Sequence, residues 1–326
     1  MPWHRRISCL FGASALLCSG CFGRYAPADT DTEAGSAVSS STAVSSTGSS
    51  SSTGDADVCE HLDILILTDV SVSMAPFAAG IVNVLLALGT RIEDTFGGVG
   101  GYRLALTYNV PPVVNEGAYS VPPEGEQCTQ LGALVRGQDD CVEAFEGRPY
   151  LTDADDLGAG LSCLAAGLVG GQWDESYETP RTLDAIVSVL EAEGQPATAA
   201  CNEGFHRSPD PLLIIVIVDS EDESEASVLE AVTDAVATQG TSLENVGIFV
   251  IGADASGCPD QDILENECGA LPSCRVQEFI DRGFNNVSLG GNVRRFNICR
   301  SLEDDSAAVA DDLLEQISAV VLNLCR

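Results

Sequence analysis

Two aspartates, Asp69 and Asp219, each follow a run of aliphatic residues, and oxygen-bearing side chains cluster after both. The first run, Leu62 to Thr68, leads into Asp69-Val70-Ser71-Val72-Ser73. The second, Leu212 to Val218, leads into Asp219-Ser220-Glu221-Asp222-Glu223. Carboxylates and hydroxyls are hard donors, suited to magnesium, manganese or calcium rather than zinc. A turn after a strand can aim alternate residues at one ion, so Asp69, Ser71 and Ser73 can converge. Two plainer readings compete. Asp69 could cap a helix with the serines as turn residues, and residues 219–223 could be a solvated acidic loop or a calcium trap.

Near-continuous aliphatic runs of this length fit parallel strands buried on both faces. In an open α/β sheet, ligands sit beyond the carboxyl ends of such strands. Tyr102 to Tyr108 and Val246 to Gly252 read as further strands. After the first run, Phe77, Ile81, Val84, Leu85, Leu88 and Ile92 recur at helical spacing. Helices are also expected over 181–193, 225–237 and from about Leu302, the last with a seam of Val309, Leu313, Ile317, Val320, Val321 and Leu324. Strands alternating with helices predict an α/β fold, a doubly wound and mostly parallel sheet flanked by helices. Glycine-, proline- and cysteine-rich stretches at about 110–175 and 253–292 read as disulfide-rich insertions.

The 49 acidic residues face 15 basic ones, all arginine, for a formal net charge of −34. That balance excludes nucleic acid and anionic bilayers as partners held by bulk electrostatics. Residues 1–20 read as an export signal, with Arg5 and Arg6 ahead of a short apolar stretch. It ends in Leu17-Cys18-Ser19-Gly20-Cys21, similar to a bacterial lipobox with Cys21 as the lipidated residue, although Cys18 stands where leucine is usual. Simple cleavage and secretion is the alternative. From Thr30 to Gly54, 15 of 25 residues are serine or threonine, too polar to bury a core, so residues 21–57 read as a flexible tether. As a random coil it would reach roughly 30–36 Å. Residues 58–326 form the folded body. Ten cysteines remain there, an even number that predicts a disulfide framework in an exported chain.

Asp69-Val70-Ser71-Val72-Ser73 at the end of a buried strand resembles the DxSxS motif of von Willebrand factor type A domains. The resemblance covers roughly Cys59 to Cys325. It implies a metal-ion-dependent adhesion site in which both serines bind magnesium and the aspartate holds the shell through water. A threonine from a second loop and an aspartate from a third would complete it. Those positions map to Thr179, with Thr182 and Glu178 as alternatives, and to Asp219. Val218 and Ser220 depart from the family's usual threonine and glycine, which leaves Glu221 or Asp222 as alternative participants. The chain is also similar to cysteine-rich, lipid-anchored bacterial proteins of that family. Asn202 to Arg207 and the penultimate Cys325 carry that likeness, which implies a Cys299–Cys325 bond and a structural His206.

The expected function is a non-enzymatic module, lipid-anchored at the bacterial cell envelope. A divalent cation (Mg2+, or Mn2+ or Ca2+) would engage a carboxylate on a protein or extracellular-matrix partner. No GxSxG, no HExxH and no cysteine–histidine pairing is present. Two alternatives stay open. One is a scaffold with a degenerate site that binds through its loops, and the other a metal-dependent hydrolase.

Overall fold

The computed structural model describes residues 59–95, 99, 101–110, 128, 131–135, 148–170, 180–190, 200–225, 227, 243–253, 258, 268–284, 292–302 and 306–325. The signal, Cys21 and the tether lie outside them, as do Thr179, Glu178 and most of the helix expected over 225–237.

Among the described residues six strands make one sheet: β1 Leu62–Thr68, β2 Tyr102–Tyr108, β3 Leu151–Thr152, β4 Leu212–Ile217, β5 Val246–Gly252 and β6 Val293–Asn297. Their order is β3-β2-β1-β4-β5-β6. All pairs are parallel except β2 with the two-residue edge strand β3. The aliphatic runs have the predicted cause. Every residue of β1, β4 and β5 is buried, because helices cover both faces. On one face Ile64, Ile66, Ile215 and Phe249 pack with α1 (Ala75–Thr95), α2 (Leu157–Gly170) and α5 (Ser306–Leu324). On the other, Leu65, Leu67, Ile214 and Ile248 pack with α3 (Thr182–Leu190) and α4 (Cys274–Gly283). The seam predicted for the last helix is buried throughout. Gly247 of β5 lets that helix close in, since a Cβ there would stand 2.7 Å from Leu324 Cδ1.

The chain builds outward from β1 in one direction, then returns to β4 and builds in the other. That reversal opens a crevice between the carboxyl ends of β1 and β4, where α/β sheets hold ligands. Thr68 pairs with Ile217 in the register, so Asp69 and Asp219 overhang this crevice together.

The sequence predicts only short elements inside the 110–175 insertion, and α2 is longer than that. Strand β3 and the 14-residue α2 lie within 110–175, and α4 lies within 253–292. The last helix begins at Ser306, after a 3-10 turn over Ile298–Leu302.

Among the described residues, disulfides join Cys59 to Cys325, Cys128 to Cys201, Cys258 to Cys274 and Cys268 to Cys299. Cys163 is also disulfide-bonded. The Cys299–Cys325 pairing implied by resemblance is therefore wrong. The 19 residues of α5 separate those positions, a span of about 28 Å at 1.5 Å per residue. The helix instead returns Cys325 to the start of β1, with Cα atoms of Cys59 and Cys325 4.8 Å apart. Such a framework belongs to an oxidising compartment. Among the described residues no helix is long and apolar enough to cross a membrane.

Asp63 is the one charged residue in β1, and it is fully buried. Arg207 grips its Oδ1 with Nε and Nη2 at 3.0 and 2.7 Å, while the Arg207 N–H reaches Oδ2 at 2.6 Å. His206 Nδ1 lies 3.2 Å from the same oxygen. Burial alone would raise this carboxyl, but His206 and the Arg207 contacts outweigh it and hold it below the ordinary value. His206 is thus a structural residue at the amino end of the sheet, away from the crevice. The stretch before it works with it. Asn202 accepts the Leu134 N–H and donates to the Gly132 carbonyl, and Phe205 is buried.

Candidate functional site

The Asp69 N–H donates to the Ile217 carbonyl at 2.8 Å, carrying the β1–β4 ladder one step past the strand. That bond fixes the backbone of Asp69 at the crevice, and two donors fix its fully buried side chain. The Ser71 N–H reaches Oδ1 at 2.7 Å, and the Ser220 hydroxyl reaches Oδ2 at 2.6 Å. A 3-10 turn over Val72–Met74 follows, with the Met74 N–H donating to the Ser71 carbonyl. It brings the Ser71 and Ser73 hydroxyls to 2.8 Å from each other.

Ser73 then donates to Asp219 Oδ1 at 3.0 Å. The predicted residues Asp69, Ser71, Ser73 and Asp219 are therefore one cluster, drawn from two loops. Asp219 is 1% exposed, and its Oδ2 has no hydrogen-bond partner. Burial first, and then the charge of Asp69, push the Asp219 carboxyl up to about 7 against the pull of the Ser73 hydroxyl. A buried carboxylate oxygen with no donor is costly unless something positive faces it. Ser73 is exposed and Ser71 half-buried, so the cluster is open to solvent on the serine side.

Thr179 and Glu178 lie outside the described residues. Thr182, the alternative, is fully buried at the start of α3, where its hydroxyl accepts from Asn109 Nδ2 at 3.5 Å. Glu221 and Asp222 of the third loop are committed to partners outside the cluster. Glu221 accepts the N–H groups of Cys274 and Arg275 at 2.7 and 2.9 Å. Asp222 Oδ1 accepts the Ser224 hydroxyl at 2.8 Å and the Leu183 N–H at 3.4 Å, with Arg275 Nε 3.9 Å from Oδ2. Burial, the dominant influence, raises the Asp222 carboxyl despite these donors. Glu221 and Asp222 are thus built into two helix starts. Sequence reasoning treated Ser220 only as a departure from glycine and missed its bond to Asp69. A hydroxyl directly after a site aspartate was the available signal.

Among the described residues no group of three or more His, Cys, Asp or Glu side chains is disposed to hold a metal. The cluster here has two carboxylates and two hydroxyls, an all-oxygen set of low charge. Such a set can take a hard cation of magnesium type, with coordination positions left for water or a partner's oxygen. It offers nothing to soft metals.

No family model matches the chain, and no curated protein matches its sequence. Among solved structures it is similar to the human COPII-coat protein Sec24c, with 13% identity and a TM-score of 0.43 over 78% of this chain and 32% of that one. It is also similar to proximal thread matrix protein 1 of the mussel byssus, with 12% identity and a TM-score of 0.35 over 81% and 47%. A third is the pilus adhesin SpaC of Lactobacillus rhamnosus GG, with 11% identity and a TM-score of 0.36 over 78% and 30%. The chain spans from under a third to about half the length of these proteins. Likenesses this distant carry no argument about function.

Proposed function

We propose that this chain is a non-enzymatic binding module, held at a bacterial cell envelope by a lipid on Cys21, that engages a partner through a divalent cation. Ser71, Ser73 and Asp219 would hold the cation directly, with Asp69 behind them, and a residue of the second loop such as Thr179 would complete the shell. The observation that carries the reading is the unpartnered Oδ2 of a buried Asp219 beside two hydroxyls at the sheet's switch point. When bound, magnesium, manganese or calcium would supply an electrophilic position for a carboxylate of a protein or matrix partner. The chain's own residues orient that position and leave its solvent side open. Both histidines of the folded body support a non-catalytic reading. They sit at the amino end of β1, His206 on Asp63 and His61 3.6 Å from Asp210.

The test has two stages. The exported chain and its Asp69→Ala/Ser71→Ala variant are titrated with Mn2+, and native envelope extract is then passed over each with and without chelator. The expected result is Mn2+ binding by the parent alone, and a partner retained only by the parent and only without chelator. Equal Mn2+ binding by the variant would remove the site assignment. A partner retained in chelator would move the binding surface to the loops.

A further inference from the structure

The three residues after Asp219 are each committed to a different neighbour. Ser220 donates to Asp69 Oδ2, Glu221 accepts the first two N–H groups of α4, and Asp222 accepts from the first turn of α3. The start of α4 lacks an ordinary cap of its own. Ser273 stands at the N-cap of α4 but makes no side-chain capping bond, and its hydroxyl is buried without a partner. Glu221, from 53 residues away, takes its place. At α3 the N–H groups of Leu183 and Asp184 both donate to Ser224 Oγ at 3.0 Å, and Ser224 in turn donates to Asp222. A carboxylate at a helix start gains from both the free N–H groups and the helix dipole.

The receiving elements are themselves fixed. Cys274, the first residue of α4, is bonded to Cys258, and Cys268, just before that helix, to Cys299. Between them the Leu271 N–H donates to the Asp219 carbonyl at 2.8 Å. On the other side the Glu223 N–H donates to the Pro180 carbonyl at 2.7 Å. The Asp219 loop is therefore strapped at consecutive residues to two helices, one of them disulfide-anchored.

We propose that Glu221 and Asp222 are positioning residues of the cation site. Their carboxylates bind no ion and instead hold the Asp219 loop so that its carboxylate faces Ser73. The proposal rests on the cation reading above and adds to it what sets the site's affinity. Preorganised donors bind an ion without the cost of ordering the loop. Losing a strap leaves every ligand in place and weakens binding.

The experiment measures Mn2+ affinity by calorimetry at 15 °C, and melting in chelator, for four proteins. These are the parent full chain, Glu221→Ala, Glu221→Gln and a control, Asp156→Ala. Asp156 caps α2 through the Ala159 N–H at 3.0 Å, at the far end of the sheet. Removing either cap lowers the melting temperature. Glu221→Ala is expected to weaken Mn2+ binding by about five- to tenfold, the scale of one lost helix cap felt at the loop. Glu221→Gln, which keeps one acceptor, recovers part of that loss, and Asp156→Ala leaves affinity at the parent value. Glu221→Gln carries the comparison alone should Glu221→Ala fail to fold, and then binds about twofold or more weaker than the parent. Parent-like affinity in the folded Glu221 variants overturns the positioning role while leaving the cation site standing. A parent that does not bind Mn2+ overturns both.

Discussion

The Ser73 hydroxyl donates to Asp219 Oδ1 at 3.0 Å across 146 residues of sequence, while Oδ2 of the same carboxylate is buried with nothing to accept from. A bound cation would supply the missing positive partner, so cation and fold should be linked. With Mn2+ at 100 times its Kd, mass action adds about 2.7 kcal/mol to stability. For a body of this size that is a rise in melting temperature of roughly 5–10 °C. Chelator should reverse the rise, and Asp219→Ala should abolish it. Melting curves that superimpose with and without cation would remove the ion from the site.

The pH dependence follows from buried aspartates shifted in opposite directions, Asp219 and Asp222 upward and Asp63 downward. Asp219 sits at about 7 when folded, above a free carboxyl. Its contribution is fully present below about pH 4 and is lost as pH rises through 7, at up to about 1.4 kcal/mol per pH unit. Asp63 is lowered, so its contribution is present above the ordinary carboxyl value and is lost as pH falls through its lower folded value. In chelator, urea unfolding between pH 4.5 and 8 should show stability declining toward the alkaline side. Asp219→Asn should lessen that decline and leave the part that Asp222 supplies. Cation affinity should rise over the same window, because the ion must displace the Asp219 proton. A metal-free slope unchanged by Asp219→Asn would count against the buried-carboxylate account.

Much of this architecture is legible in the sequence because burial on two faces writes a plain signal. The runs at Leu62, Leu212 and Val246 become β1, β4 and β5, and the residues after the first two runs meet at the crevice. What escapes is whatever depends on distant partners. Strand β6, Val-Arg-Arg-Phe-Asn, carries two arginines and lies at the sheet edge, so it shows no aliphatic run. Glu221 and Asp222 look like spare ligands or solvated charge until the two helices that they cap are placed beside them. The Cys59–Cys325 bond is invisible for the same reason, since its halves are 266 residues apart.

Arg207 should matter more to folding than its partly exposed position suggests. Its guanidinium supplies two of the donors to a carboxylate that is fully buried. Arg207→Ala leaves that charge with only His206 and a backbone N–H. Removing one partner of a buried pair costs about 3–5 kcal/mol, and the remaining donors place this case near the lower value. Asp63→Asn/Arg207→Ala should recover part of the loss, because no uncompensated charge then remains. Denaturant midpoints of the single and double variants measure the coupling. A single variant within about 0.5 kcal/mol of the parent would show the clamp to be dispensable.

The Cys59–Cys325 bond should act on stability without reaching the cation cluster. It ties the residues just before β1 to the end of α5, at the amino end of the sheet, whereas Asp69 and Asp219 lie beyond the carboxyl ends. By constraining the unfolded chain over so long a loop, it should contribute about 2–5 kcal/mol. The Cys59→Ser/Cys325→Ser variant should therefore melt markedly lower yet bind Mn2+ like the parent at temperatures where both are folded. Glu221→Ala is expected to do the reverse in proportion, losing little stability and more affinity. If the serine variant also lost affinity, the two ends of the sheet would be mechanically coupled, and the brace on the Asp219 loop would extend through the whole body rather than through α3 and α4 alone.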